Sequence, residues 1–167
     1  MKKIIVALSL VSLGGALTLG EPSSPEVVAP VIPASVEYSW PSGVEVPVLR
    51  PFAPGAQNWN AGHRGVDLAL GAGQPVYAAA DGRVIYAGTL NDRELVSIEH
   101  ADGIRTTYEP VSPAVVRGDV VSRGAIIGHV GGEHCSPSSC LHWGAKRGQD
   151  DYLDPLSLLW GPIRLYE

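Results

Sequence analysis

Residues 95–108 read Leu-Val-Ser-Ile-Glu-His-Ala-Asp-Gly-Ile-Arg-Thr-Thr-Tyr, and this stretch decides the class of fold. Two segments rich in strand-forming residues, 95–99 and 104–108, flank the turn signal Asp102-Gly103. This arrangement predicts a β-hairpin, because Asp-Gly is a favoured turn between two strands. We therefore expect a sheet-forming domain around it.

The flanking sequence continues the same pattern. Residues 76–79 and 83–87 flank Asp81-Gly82 and predict a second hairpin, and bounded apolar runs predict strands at 125–130 and 140–145. Helix-forming sequence is confined to a short C-terminal segment, where a capping residue and a proline precede three leucines: Asp154, Pro155, Leu156, Leu158 and Leu159. These elements predict a single, mostly β domain rich in antiparallel sheet.

Length and charge limit the classes of function. The 167 residues suffice for one domain of ordinary size with a modest appendage. The formal net charge is -5 and the Lys and Arg residues form no run, whereas binding to nucleic acid or to anionic lipid needs clustered basic residues. We therefore expect no nucleic-acid partner.

The N-terminus is typical of an export signal, because Lys2 and Lys3 precede an apolar run that continues to about Leu19. We expect residues 1–20 to be a signal peptide and the protein to be secreted or extracytoplasmic. A clear small-x-small cleavage site is missing there. The alternative is an uncleaved segment that attaches the protein to the membrane.

Residues 21–47 are rich in Pro, Ser and Val and lack helical or strand periodicity, which predicts an extended tether. Only Tyr38 and Trp40, near its end, are expected to pack on the domain. The domain itself is predicted to span residues 48–167.

Two short motifs carry residues that can bind a metal. Gly62-His63-Arg64-Gly65-Val66-Asp67-Leu68 places an imidazole and a carboxylate four positions apart. Cys140-Leu141-His142-Trp143 places Cys140 and His142 on one face of a strand, because side chains alternate along a strand. Each motif alone is a weak signal, since a surface salt pair, a turn cap or a packed strand accounts for it.

Together the two motifs resemble those of lysostaphin-type domains, which have His-x-x-x-Asp early and His-x-His late, separated by hairpins. The resemblance spans about residues 59–160 and is nearest to a subgroup from high-GC Gram-positive bacteria. It implies the β-rich fold of peptidoglycan endopeptidases and a zinc ion held by His63, Asp67 and His142. Two imidazoles, one carboxylate and a water form the open tetrahedral arrangement of a catalytic zinc.

Two further histidines of that family, which are not zinc ligands, are missing here. Pro110 stands where the family usually has the histidine of Tyr-x-His-Leu, and Cys140 stands at the first histidine of His-x-His. A positioned acid or base contributes about 10² to 10⁴ in rate, so their loss predicts weak or undetectable hydrolysis. Tyr108, Glu109 and His134 are the candidates to assist in their place. The alternatives are a solvent-facing Glu109 and an ordinary loop histidine at position 134.

Cys135 and Cys140 are the only two cysteines, and export favours a disulfide between them. The alternative is Cys140 as a fourth zinc ligand, which would close the site and make it purely structural. His100 and His129 show no pairing signal and are expected to be structural or surface groups.

These features, with the resemblance, predict cell-wall peptidoglycan processing by zinc-dependent hydrolysis of a peptide bond, with wall peptides as the partner. The rival interpretation is a catalytically silent, zinc-containing module that binds the wall or activates a partner hydrolase. Retention of all three ligands is compatible with either interpretation, whereas the two missing histidines favour the rival.

Overall fold

The computed structural model describes residues 35–56, 60–132, 134–135 and 139–160. The predicted export signal and most of the predicted tether lie outside the described residues. The described ranges contain eleven strands and one 3-10 helix, and these strands pair antiparallel. The prediction of a mostly β domain rich in antiparallel sheet is therefore confirmed.

In chain order the strands are β1 Val48–Arg50, β2 Gly65–Leu68, β3 Pro75–Tyr77, β4 Gly82–Leu90, β5 Arg93–Glu99, β6 Ile104–Glu109, β7 Val111–Pro113, β8 Val120–Val121, β9 Ile126–Val130, β10 Leu141–Arg147 and β11 Asp151–Leu153. A large sheet has the order β1-β2-β10-β6-β5-β4-β8, with β11 paired to β10. A small sheet has the order β3-β9-β7.

The hairpin predicted from residues 95–108 is confirmed as β5 and β6, whose paired residues include Val96 with Tyr108 and Glu99 with Arg105. The strands predicted near residues 125–130 and 140–145 are present as β9 and β10. These segments combine strand-forming residues with turns that lie next to them in sequence, so local signals sufficed.

The hairpin predicted around Asp81-Gly82 is wrong, because its two strands belong to different sheets. Strand β3 pairs with β9, and β4 pairs with β5 and β8. The Asp81 carboxylate accepts a hydrogen bond from the backbone N–H of Arg123 at 2.7 Å. This bond joins the connection between β3 and β4 to the connection between β8 and β9. Strand β4 instead turns into β5 through Asn91-Asp92, whose φ angles of 49° and 64° suit a two-residue hairpin turn.

Alternation along the central strands separates a core face from an outer face. Pairing aligns Val66 on β2, Trp143 on β10 and Tyr108 on β6, and all three are fully buried. They belong to one apolar cluster with small-sheet residues such as Val76 and Ile127. Burying a large apolar side chain contributes roughly 1.5–3 kcal/mol, so this cluster favours one register of β10.

A directional chain of hydrogen bonds also runs through the interior. The Ala79 N–H donates to the Tyr108 hydroxyl at 3.0 Å, and that hydroxyl lies 2.8 Å from Thr106 Oγ1. Thr106 Oγ1 lies 2.7 Å from His100 Nε2, while His100 Nδ1 donates to the carbonyl of Asp81 at 2.8 Å. Since a carbonyl only accepts, the proton of a neutral His100 sits on Nδ1. The expected structural role of His100 is confirmed.

The end of the predicted tether packs on the domain. Tyr38 is buried, and its hydroxyl donates to the Asp102 carboxylate at 3.0 Å. Its ring meets His100 edge to face, with centroids 5.2 Å apart, and Trp40 packs partly buried against the core. The expected packing of both aromatic residues is confirmed, and residues 35–47 contribute to the folded body.

The predicted C-terminal helix is present as the 3-10 helix Pro155–Trp160. The Asp154 carboxylate accepts a hydrogen bond from the Leu156 N–H at 3.0 Å, so the predicted cap is in place. Leu156, Leu158 and Leu159 pack partly buried on the core. None of the helical structure within the described ranges is a candidate to cross a membrane.

We expect His100 to make the fold sensitive to acid. Burial is the main cause that lowers the pKa of His100 below its ordinary value of 6.5, although the hydrogen bond to Asp81 opposes the shift. The unfolded chain then takes up this proton at a higher pH than the native protein does. The free energy of unfolding should therefore fall as the pH drops below about 6.5 toward the lowered pKa of the folded state.

Denaturant titrations of metal-free protein between about pH 7.5 and pH 5 measure this dependence. His100→Gln, which keeps hydrogen-bonding capacity but does not titrate, should reduce the slope. His129→Gln changes an exposed histidine and serves as the matched control. It should keep the pH slope of the unmodified protein. Equal slopes in the unmodified protein and in His100→Gln would contradict the assignment.

Candidate metal centre

Strand pairing places three functional side chains in one row on the outer face of the large sheet. His142 on β10 lies opposite Asp67 on β2 and opposite Glu109 on β6. Side chains directly opposite across antiparallel strands have Cβ atoms about 4.5–5.5 Å apart. His63 approaches from the chain before β2, where it forms an isolated bridge with Ala53. Residues 79 positions apart in sequence, His63 and His142, thus meet at one place.

The donor atoms of the three predicted ligands converge. His63 Nε2 lies 3.0 Å from Asp67 Oδ1 and 3.1 Å from His142 Nδ1. His142 Nδ1 lies 2.8 Å from the same carboxylate oxygen. His63 and Asp67 are buried, and the His142 side chain is 19% exposed. The three residues form a group that can hold one metal ion.

The contact of His63 Nδ1 with a carbonyl oxygen leaves Nε2 available to bind a metal ion. Its Nδ1 lies 2.7 Å from the carbonyl oxygen of Pro51, which only accepts, so the proton of the neutral ring sits on Nδ1. The unprotonated Nε2 then points its lone pair at the Asp67 carboxylate. Two facing lone pairs repel each other unless a cation lies between them, and either a proton or a metal ion can take that place.

Asp67 is held in its charged form. Burial acts to raise the pKa of Asp67, but the hydrogen bond to His142 and the interaction with His63 outweigh it, and the net pKa is lowered. The centre therefore offers one anionic oxygen and two imidazole nitrogens. Donor atoms about 2.0–2.1 Å from a tetrahedral zinc ion lie about 3.3 Å from one another. The three donor atoms here would each have to separate by about 0.5 Å or less to hold zinc.

The disulfide predicted between Cys135 and Cys140 is present, with Cα atoms 5.5 Å apart. Cys140 is fully buried, and its sulfur lies within 4.8 Å of donor atoms of Asp67 and His134. Because a disulfide sulfur is not a thiolate, the alternative in which Cys140 is a fourth zinc ligand is wrong for this structure. A disulfide sulfur also has no proton to transfer.

His134, next to the disulfide, reaches the centre from the preceding loop. Its Nε2 lies 3.6 Å from Asp67 Oδ1, its Nδ1 lies 3.9 Å from Glu109 Oε1, and its side chain is 28% exposed. Its ring centroid is 5.4 Å from that of His142. Burial is the main cause that lowers the pKa of His134, although Asp67 and Glu109 act against it. The ring is therefore neutral at pH 7 and can accept a proton.

Glu109 is buried, with 7% of its surface exposed. Its Oε1 accepts a hydrogen bond from Arg93 Nη1 at 3.0 Å. The alternative of a solvent-facing Glu109 is therefore wrong. Arg93, which the sequence reasoning missed, is 58% exposed and fixes the carboxylate beside His134.

The prediction that Tyr108 assists at the centre is wrong. Alternation along β6 places it on the face opposite Glu109, and it is fully buried. Its hydroxyl is hydrogen-bonded to the backbone N–H of Ala79 and to Thr106 Oγ1, and burial raises its pKa to about 12. Tyr108 is a core residue.

A groove of about 310 Å³ runs from the centre along the outer face of the sheet. A Cβ at Gly65 would lie 2.6 Å from His142 Nε2 and 2.5 Å from the Trp143 carbonyl oxygen, so only glycine lets the imidazole lie over β2. The groove is lined in part by long side chains that sequence reasoning did not single out: Arg64, Arg93, Arg105, Lys146 and Tyr152. Their clustering follows from the register of β6, β10 and β11, which alternation alone does not reveal.

The chain is similar in sequence to known bacterial proteins. The chain is 46% identical over 143 residues to an uncharacterized protein of Mycobacterium tuberculosis, a match that covers 82% of this chain and 57% of that protein. The chain thus spans little more than half the length of this relative. It is 35% identical over 85 residues to the DD-carboxypeptidase/endopeptidase Mpg of Neisseria gonorrhoeae, covering 50% of this chain and 20% of Mpg.

The fold matches that of a solved peptidase. The catalytic domain of the antimicrobial peptidase lysostaphin from Staphylococcus simulans superimposes with a TM-score of 0.60 at 28% identity, covering 69% of this chain and 92% of that one. The family model described as peptidase family M23 matches residues 61–155, a range that includes the three converging ligands and both motifs. The chain belongs to peptidase family M23.

Proposed function

We propose that the domain binds one zinc ion through His63, Asp67 and His142 and hydrolyses a peptide bond in the peptides of bacterial peptidoglycan. The observation that carries this proposal is the convergence of three donor atoms within 3.1 Å of one another. Zinc bound there would supply Lewis-acid chemistry, by acidifying a water molecule and polarising the carbonyl of the peptide bond.

In this proposal His134 and Glu109 handle protons in place of the two missing histidines. Arg93 fixes the Glu109 carboxylate, which faces Nδ1 of His134 at 3.9 Å and orients the ring with Nε2 toward the centre. As a neutral imidazole, His134 can accept a proton at Nε2 and return it to the leaving amine. The 3.9 Å separation is longer than a hydrogen bond, and such contacts tighten when substrate binds.

Membership of family M23 and similarity to the DD-carboxypeptidase/endopeptidase Mpg and to the peptidase lysostaphin support peptidoglycan peptides as the substrate class. The open groove on the outer face of the sheet has room for an extended peptide. The charged and apolar N-terminal sequence supports export, so that the domain acts outside the cytoplasm. An uncleaved N-terminus would attach it to the membrane.

A second candidate function is a zinc-containing module without turnover, which binds wall peptides or activates a partner hydrolase. The observation that favours it is the chemistry of the two positions where related enzymes carry histidines. Pro110 has no side-chain donor or acceptor, and Cys140 is locked in a disulfide. Only measured turnover separates the two functions.

We expect the purified protein to contain about one equivalent of zinc. His63→Ala, Asp67→Ala and His142→Ala should each lose most of it, because a centre with only two protein ligands binds zinc weakly. Since only the folded chain assembles the site, free zinc at about 100 times its Kd should raise the free energy of unfolding by about 2.7 kcal/mol. Metal analysis and thermal denaturation measure both effects.

His129→Ala is the matched control for zinc content, because His129 is exposed on β9 and lies outside the ligand group. It should retain the metal of the unmodified protein. Unchanged zinc in all three ligand variants would remove the basis of the proposed function.

We expect slow cleavage of purified peptidoglycan that stops when a chelator is added. Glu109→Gln and His134→Ala should each reduce the rate by about 10²-fold or more, since each removes part of the proton-transfer pair, while zinc content stays unchanged. Release of peptide fragments, followed by mass spectrometry, measures the rate, with His129→Ala as control.

Fast chelator-sensitive cleavage that neither substitution affects would contradict the role of His134 and Glu109. A zinc-loaded protein with no cleavage at all would favour the module without turnover.

A further inference from the structure

We propose that the groove contains a carboxylate-binding subsite formed by Arg105 and Lys146, which selects peptides that carry a free carboxylate a few residues from the metal centre. The inference deepens the proposed function by naming a feature of its substrate. It rests on that function only for the role of the bound peptide, because the subsite is built from residues outside the metal centre.

The strand register brings the two cations together. Lys146 on β10 lies directly opposite Arg105 on β6, so their side chains leave the same face of the sheet. Like charges in directly opposed positions destabilise a sheet. The two cations therefore repel each other in the free protein, and an anion bound between them would reduce that repulsion.

The immediate surroundings leave both cations able to receive an anion. Arg105 Nε is buried and has no hydrogen-bond partner among the described residues, which is costly for a charged group. Lys146 Nζ donates one hydrogen bond, to the carbonyl of Gln149 at 3.0 Å, and an ammonium group has three donors. Burial, followed by the charge of Arg105, lowers the pKa of Lys146, while Asp150 acts in the opposite direction.

The aromatic ring of Tyr152 helps to position the side chains of Lys146 and Arg64 at the cationic end of the groove. Lys146 Nζ lies 5.8 Å from the ring centroid and the Arg64 guanidinium carbon lies 5.3 Å from it, both within the range of cation–π attraction. These contacts limit where the ammonium group can move. A carboxylate entering the groove thus meets two positioned cations instead of one freely moving lysine.

The carboxylates near the subsite leave the groove with more positive than negative charge. Glu109 lines the same groove but accepts a hydrogen bond from Arg93. Glu99 stands opposite Arg105 on β5, and Asp150 acts electrostatically on Lys146. The side chains that line the groove itself nevertheless include one carboxylate, that of Glu109, and four cations: Arg64, Arg93, Arg105 and Lys146. The groove therefore keeps an excess of positive charge at this end.

The position of the subsite defines the register of the peptide. Lys146 is four residues beyond His142 on β10, which corresponds to about 13 Å along a strand at about 3.3 Å per residue. The long side chains of the two cations, and of an acidic residue in the ligand, shorten the peptide backbone needed. The carboxylate should therefore lie about two to four residues from the peptide bond at the centre.

Binding of two matched peptides tests the proposal without any need for turnover. The probes are N-acetyl-Ala-Glu-Ala-amide and N-acetyl-Ala-Gln-Ala-amide, which differ by one charge. Titration of the ¹⁵N-labelled protein at low ionic strength, followed by amide chemical shifts, should show about tenfold tighter binding of the Glu peptide. The largest shifts should fall on β6 and β10 around Arg105 and Lys146.

Substitutions separate the subsite from general charge effects. In Arg105→Gln with Lys146→Gln the preference for the Glu peptide should fall to nearly one. Arg147→Gln removes a cation from the neighbouring position of β10, on the opposite face, and should keep the preference. Thermal denaturation and zinc content confirm that each variant is folded.

Three results would overturn the subsite. They are equal binding of the two peptides by the unmodified protein, no shift of the groove amides with either peptide, and a preference that survives the double substitution.

Titration with a chelator present supplies the remaining comparison. The preference should persist, and its loss would mean that the carboxylate binds the metal and not the two cations. Absence of peptidoglycan cleavage bears only on the proposed function and leaves these outcomes unchanged.

Discussion

The pairing of β10 between β2 and β6 is the constraint on which the rest of the structure depends. The same backbone hydrogen bonds align Trp143 with Val66 and Tyr108 on the inner face and place His142 between two carboxylates on the outer face. A slip by one residue would bury the imidazole and expose the tryptophan. Core burial therefore also fixes the positions of the candidate metal ligands, so the same strand register sets both stability and site geometry.

The side chains at the candidate centre come from backbone segments of different rigidity. The His142 and Asp67 side chains leave paired strands, and His63 is held by its bridge to Ala53 and its contact with Pro51. His134 comes from the chain immediately before Cys135 of the disulfide. Ligands on strands suit a metal site, which tolerates little positional error, whereas a loop residue can adjust when substrate arrives.

The charge on the outer face of the sheet changes along the groove. Near the centre the acidic side chains of Asp67 and Glu109 are buried and held by partners. Four residues farther along β10 the charge becomes positive, at the opposed pair of Arg105 and Lys146. Groups of opposite sign thus lie at fixed positions along the paired strands β2, β6 and β10, so the two ends of the groove differ in charge.

Local patterns in the sequence predicted the mostly β class, the β5–β6 hairpin and the capped C-terminal helix. The resemblance to lysostaphin-type domains pointed to the three residues that converge at the centre. Only the tertiary structure decided that β3 and β4 belong to different sheets, that Tyr108 faces the core, and that His134 and Arg93 meet Glu109. Local propensity does not encode strand register, and register decides which side chains share a face.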